Sequence, residues 1–204
     1  GWSSNNKWAL YGGMRSAAQI ISYEIPAGIS LVTVIMLASA LSMQDIILYQ
    51  SGGIFNWIIF DNPFMPIVFI IFFISTLAET NRTPFDLPES ESELVAGFVT
   101  EYSGTRYALF FLSEYANMFI VCAVSATAFF GVWQSPFPNF LNSPAWSVVW
   151  MLIKTLSLVF VMIWVRWTVP RLRVDQLMHI CWKVFIPIGL FNVFGVAIWT
   201  VIRG

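Results

Sequence analysis

Three ionisable residues stand inside long apolar runs: Glu24 in QIISYEIPAG, Glu114 in ALFFLSEYANM and Lys154 in MLIKTLSL. A charge placed in hydrocarbon costs roughly 2.5–3.5 kcal/mol on insertion scales, so such groups are few and must face protein or water. Two residues after Glu24 comes Pro26, which has no N–H and leaves the Ser22 carbonyl without its helical donor. A kinked helix with a free carbonyl beside a carboxylate suits bound water. Arg15, Gln19 and Tyr23 recur every fourth residue and share one helical face leading inward. The plainer reading is a capping arginine and an acid salt-bridged for packing; the expense of an acid in lipid favours function. Glu114 lies on a stripe with Tyr107, Phe110, Phe111, Asn117 and Met118. An acid on an aromatic stripe changes protonation with its surroundings, which a proton relay needs; neutralisation by a neighbouring helix is the alternative. Lys154 is the weakest functional candidate of the three, since it can pair with an acid or snorkel.

The segment 78–104, AETNRTPFDLPESESELVAGFVTEYSG, carries Glu79, Asp86, Glu89, Glu91, Glu93 and Glu101, with Arg82 as its only base before the next helix. Pro84 and Pro88 impose an irregular backbone. Phe85, Leu87, Leu94, Val95 and Phe98 interleave the acids, which a merely solvated loop does not require. Together with Glu24 and Glu114 the segment reads as a hydrated acidic funnel at a membrane surface.

The elements that must position these groups are membrane-spanning helices. Of the 204 residues 58% are hydrophobic and 10% charged, against roughly 25% charged in soluble domains. The fold class is an all-α polytopic membrane protein of about five spans, at about 18–41, 64–79, 105–131, 146–165 and 184–202, in one domain covering 1–204. Lys7, Arg15, Arg82, Arg106, Arg166, Arg171, Arg173 and Lys183 then fall on one side. The opposite loops 42–63 and 132–145 hold neither Lys nor Arg, and Arg203 alone ends across the membrane. This is the positive-inside asymmetry, with the basic side cytoplasmic or in a mitochondrial matrix. Trp57, Trp133, Trp146, Trp167 and Trp182 sit near span ends as an aromatic belt would. Cys122 and Cys181 are far apart, too few for an iron–sulfur cluster and no disulfide framework. No metal site is expected, and a net charge of −1 gives a nucleic-acid partner no support. The chain begins at Gly1 rather than Met, and a longer protein with further N-terminal residues is expected.

The 78–104 segment, followed by ALFFLSEYANM, closely resembles the H-subunit family of bacterial NADH:quinone oxidoreductase, whose mitochondrial counterpart is subunit 1 of respiratory complex I. GGMRSAAQIISYEIP at 12–26 and PRLRVDQLMHICWKVFIPI at 170–188 resemble the same family in the same order, so the likeness covers essentially the whole chain. It implies that this chain supplies the last five of eight transmembrane helices, lacking the first three and an amphipathic surface helix. It further implies a subunit of an enzyme with no complete active site of its own. The substrate is a quinone, ubiquinone or menaquinone, with no flavin or iron–sulfur cluster held here. The partners are other membrane and peripheral subunits, including the iron–sulfur subunit beside the quinone, and membrane lipid. By motif match Arg15, Gln19, Arg82, Asp86, Glu89, Glu91, Glu93 and Glu101 belong to the quinone chamber and its loop. Glu24, Glu79 and Glu114 belong to a buried carboxylate path for protons. The implied location is a bacterial inner (plasma) membrane, ahead of the mitochondrial inner membrane. The alternative is the homologous subunit of an ion-translocating hydrogenase or of a quinone complex with another donor, against which FDLPESESELVAGF argues. A secondary transporter would show paired repeats, which are not found; a plain membrane anchor would have no use for Glu24 and Glu114.

Overall fold

A computed structural model describes residues 2–81, 83–86, 97–100, 102–137 and 143–203. Arg82, Glu89, Glu91, Glu93 and Glu101 lie outside them. Helix α1, Lys7–Ala38, starts at Asn6, whose Oδ1 accepts the Trp8 N–H at 3.0 Å and so caps an end that has no intrahelical acceptor. It begins about three turns before the expected span because the mixed stretch 7–17 hides a helix from a hydropathy reading. The connection read as a loop holds two short helices, α2 (Met43–Tyr49) and α3 (Ile58–Asp61). Then come α4 (Met65–Glu79), α5 (Gly104–Phe130) and α6 (Pro144–Thr168). Finally α7 (Val174–Ile180) continues through a π turn, Cys181–Phe185, into α8 (Ile186–Arg203). Among the described residues four helical runs are long and apolar enough to cross a membrane, and α4 is a shorter apolar fifth. No strand occurs among the described residues. The chain is a polytopic membrane protein of about five helices.

Helix α1 is the centre of the packing, with α4 and α8 against it, while α5 packs on α6. Helices α1 and α8 run parallel in a fixed register. The Trp182 indole donates to Ser22 Oγ at 3.3 Å, and a Cβ on Gly189 would come within 3.1 Å of Ile29 Cγ2. One buried cluster gathers Tyr23, Phe73, Leu77, Phe85, Cys122 and Phe185 toward the basic side. A second gathers Val34, Met65, Phe72, Phe129 and Val196 toward the other.

The end of α5 answers the question posed by Lys154, which is 8% exposed. Gly131 follows the helix at φ +53, a conformation L side chains rarely adopt, and a Cβ there would meet Gln50 Cβ at 3.1 Å. The carbonyls left without helical donors take them from two buried side chains. Lys154 Nζ donates to the carbonyls of Phe130 (2.7 Å), Gly131 (2.8 Å) and Gln134 (2.7 Å). Gln50 Nε2 donates to that of Thr127 (3.1 Å). The Trp57 ring lies 4.4 Å from the ammonium, so this indole has a cation to cover rather than only a place in a belt. Among the described residues Lys154 therefore takes backbone carbonyls rather than an acid, and it caps the negative end of a neighbouring helix.

On the side opposite the basic loops, Arg203 pairs with Asp61 at 2.5 Å and the Tyr49 hydroxyl donates to the same carboxylate at 3.0 Å. This contact joins the end of α8 to the α2–α3 connection, on the side that five crossings assign to both.

Replacing Lys154 by Met removes the donor while leaving three carbonyls behind. Lys154→Met in the full-length protein is expected to cost about 2–4 kcal/mol of stability. Thermal unfolding of the purified assembly, with Lys154→Arg alongside, measures it. An unshifted midpoint for Lys154→Met would show that the cap does not hold the end of α5.

Candidate functional site

Gln19 organises the basic end of the molecule. It is 1% exposed, and its side-chain amide donates to the Ala78 carbonyl (2.6 Å), Asn81 Oδ1 (3.0 Å) and the Phe85 carbonyl (3.1 Å). One α1 side chain thus satisfies the last turn of α4 and grips the chain that leaves it. Phe85 is 4% exposed and packs in the first cluster, and Leu172 N–H donates to the Pro84 carbonyl at 3.0 Å. The start of the acidic segment is therefore pinned to α1 and to the stretch between α6 and α7, not hung free.

Just inward of this clamp three helices bring polar groups together. Glu79 is the last residue of α4 and half-buried. It accepts a hydrogen bond from the Asn117 side chain of α5 and lies within electrostatic reach of Glu24 on α1. Tyr23, 8% exposed, lies within reach of both acids. Neither Glu24 nor Glu79 has a cationic partner among the described residues. The arrangement sets two carboxylates, a phenol and a side-chain amide beside one another.

Of the sequence-expected residues, Gln19, Glu24 and Glu79 meet here. Glu24 takes an exposed position on the described chain, beside buried Tyr23. Glu114 is half-buried, one turn before Asn117 on the same helix. Arg15 and Asp86 are half-buried and both engaged by neighbours. The remaining loop candidates, Arg82, Glu89, Glu91, Glu93 and Glu101, fall outside the described residues. No group of three or more metal-ligating side chains forms among the described residues. Sequence reading missed Asn81 and the Trp182–Ser22 bond. Asn81, at φ +50, turns the chain directly after α4, a position for which asparagine is a recognisable signal. Trp182 reaches Ser22 from the π turn, which no local pattern announces.

The family described as NADH dehydrogenase matches residues 1–197 of this chain. The NADH-quinone oxidoreductase H subunit of Chlorobaculum tepidum is 55% identical over 98% of this chain and 59% of its own length. That of Chlorobaculum parvum is 54% identical over 98% of this chain and 59% of its own. That of Anaeromyxobacter dehalogenans is 48% identical over 99% of this chain and 53% of its own. The chain thus spans less than two thirds of the length of the relatives it matches.

Gln19→Leu keeps the size of the side chain but deletes the donor shared by the Ala78 and Phe85 carbonyls. It is expected to cost about 1–3 kcal/mol and to free the start of the acidic segment. Limited proteolysis of the full-length assembly at 80–100 should quicken; a cleavage rate equal to that of the unchanged protein would remove Gln19 from this role.

Proposed function

The chain belongs to the NADH dehydrogenase family, and from that premise we propose that it is the membrane subunit of a proton-translocating NADH:quinone oxidoreductase. In this reading it walls the quinone chamber and starts the carboxylate path that couples quinone reduction to proton movement. It works in a bacterial inner membrane, beside other membrane subunits and a peripheral iron–sulfur subunit that delivers electrons. The observation that carries the reading is the meeting of Glu24, Tyr23, Glu79 and Asn117 on three helices, with no described cation to neutralise the acids, directly under the anchored start of the acidic segment.

Reducing a quinone to a quinol takes up two electrons and two protons, so the charge beside the headgroup changes at each turnover. Arg15, Arg82, Asp86, Glu89, Glu91, Glu93 and Glu101 are the groups assigned to feel that change. Gln19 transmits position, because it holds the start of the acidic segment and the end of α4 with one amide. Glu79 and Glu24, electrostatically linked, then exchange proton occupancy, and Glu114 continues the path along α5. The identity of the relatives, all named as H subunits of NADH-quinone oxidoreductases, supports this choice over the hydrogenase reading.

In inverted membrane vesicles carrying the complete enzyme with full-length variants, Glu79→Gln and Glu114→Gln are expected to leave assembly intact. NADH-driven quinone reduction, or the proton gradient it builds, should fall by about a hundredfold, the lower end of what loss of a proton-transfer group costs. Asn117→Leu, which deletes the hydrogen bond to Glu79, should give a smaller loss of the same kind. Normal rates together with normal acidification in both glutamine variants would dispose of the carboxylate path.

A further inference from the structure

The buried face of α1 carries a column of polar side chains that continues well past Glu24. Gln19, Ser22, Ser30 and Thr33 are each 2% exposed or less and fall on one stripe around Pro26. From Ser22 to Thr33 the column is about 16 Å long at 1.5 Å per residue. The hydroxyls of Ser30 and Thr33 spend their hydrogens on the carbonyls four residues back, at 2.8 Å each, which leaves oxygen lone pairs facing the seam.

Facing this column from α8 is Asn192, 1% exposed. Neither its Oδ1 nor its Nδ2 has a hydrogen-bond partner among the described residues. The register fixes its level. Trp182 meets Ser22 and Gly189 meets Ile29, and Val196 shares the second cluster with Val34 and Leu37. The same offset sets Asn192 between Ser30 and Thr33. An amide with two donor hydrogens and an accepting oxygen, enclosed in a membrane span, is costly unless its hydrogen bonds are made, and buried polar groups are satisfied in the great majority of cases. Gln19 and Gln50 each leave an oxygen unsatisfied but use their nitrogens; Asn192 leaves both ends unmet. At its level on α1 stand the hydroxyls of Ser30 and Thr33, whose oxygens have lone pairs to offer.

We infer that Asn192, with the hydroxyls of Ser30 and Thr33, forms an internal water-binding site between α1 and α8. One water accepts from Nδ2 and donates to the two hydroxyl oxygens, and a second donates to Oδ1 and to the first. Each then makes the two to four bonds of an ordered internal water. Glycine at 189 lets α8 approach α1 closely enough to close the site on the basic side, and Val196, 0% exposed, closes it on the other. The polar interior thereby extends beyond Pro26, toward the surface opposite the basic loops. This holds whether or not the quinone reading does, since it rests on Asn192 and its register alone.

The test uses the complete membrane enzyme with full-length chain, Cys122 and Cys181 first replaced by Ala. Asn192→Cys and Val196→Cys are exposed to silver ion in membrane vesicles for increasing times. The thiol still free at each position is then read by maleimide labelling of this chain after denaturation. A hydrated site makes Asn192→Cys react about tenfold faster or more than Val196→Cys, because an apolar site stays dry. Equal, slow reaction at both positions overturns the site. If Asn192→Cys fails to assemble, a density map of the unchanged enzyme at a resolution that shows waters decides instead. A water within hydrogen-bond distance of the amide upholds the site; an amide bonded only to protein groups overturns it.

Discussion

A helix that ends in or near hydrocarbon leaves carbonyl oxygens that no water can reach, and this chain meets that constraint with buried donors from neighbouring helices. Gln19 of α1 serves the end of α4; Lys154 of α6 and Gln50 behind α2 serve the end of α5. Each donor is also a tether, so satisfying the backbone fixes how the helices sit. Irregular chain at membrane depth is tolerated only where it is enclosed by protein. The turn 131–135 obeys this rule, covered by Trp57 and Lys154. These donors help fix the ends of α4 and α5, and Glu79, where α4 ends, faces Asn117 in the middle of α5.

The carboxylate constellation is a product of this framework rather than of any one segment. Glu79 is placed by the end of α4, Asn117 by the stripe on α5, and Tyr23 and Glu24 by the turn of α1 that leads into Pro26. The Trp182 indole on Ser22 braces that same turn from the other side. Its reach depends on a π turn, where one extra residue in the turn alters the face presented by everything after it.

The fold was largely legible in advance, because hydropathy and the positions of Lys and Arg reflect the bilayer directly. The five spans and their sidedness follow from that, and Arg203 meeting Asp61 agrees with it. The start of α1 was not legible, since residues 7–17 are helical without being apolar. Nor were α2 and α3, which are too short to show a period. Within the candidate site, Gln19, Glu24 and Glu79 were singled out by their cost or their motif, and the structure sets them near one another. The role of Lys154 was not, for its partners are backbone carbonyls twenty or more residues away, and a carbonyl has no letter in a sequence. Asn192 escaped for a different reason: one amide among apolar residues is visible, but its lack of partners is a property of three dimensions only.

Helix α4 has 15 residues and is about 22 Å long, well short of a hydrocarbon layer of about 30 Å. Before it come α2 and α3, whose Ile46, Ile47, Ile58 and Ile59 are buried in the protein. The approach to α4 is therefore jointed, with Gly52 and Gly53 at φ +115 and +120 between the two short pieces. A single rigid rod meets a thicker or thinner bilayer by tilting, which would drag Glu79 with it. A short helix with a jointed approach can meet such a mismatch before α4 begins, while Gln19 holds the turn that carries the acid.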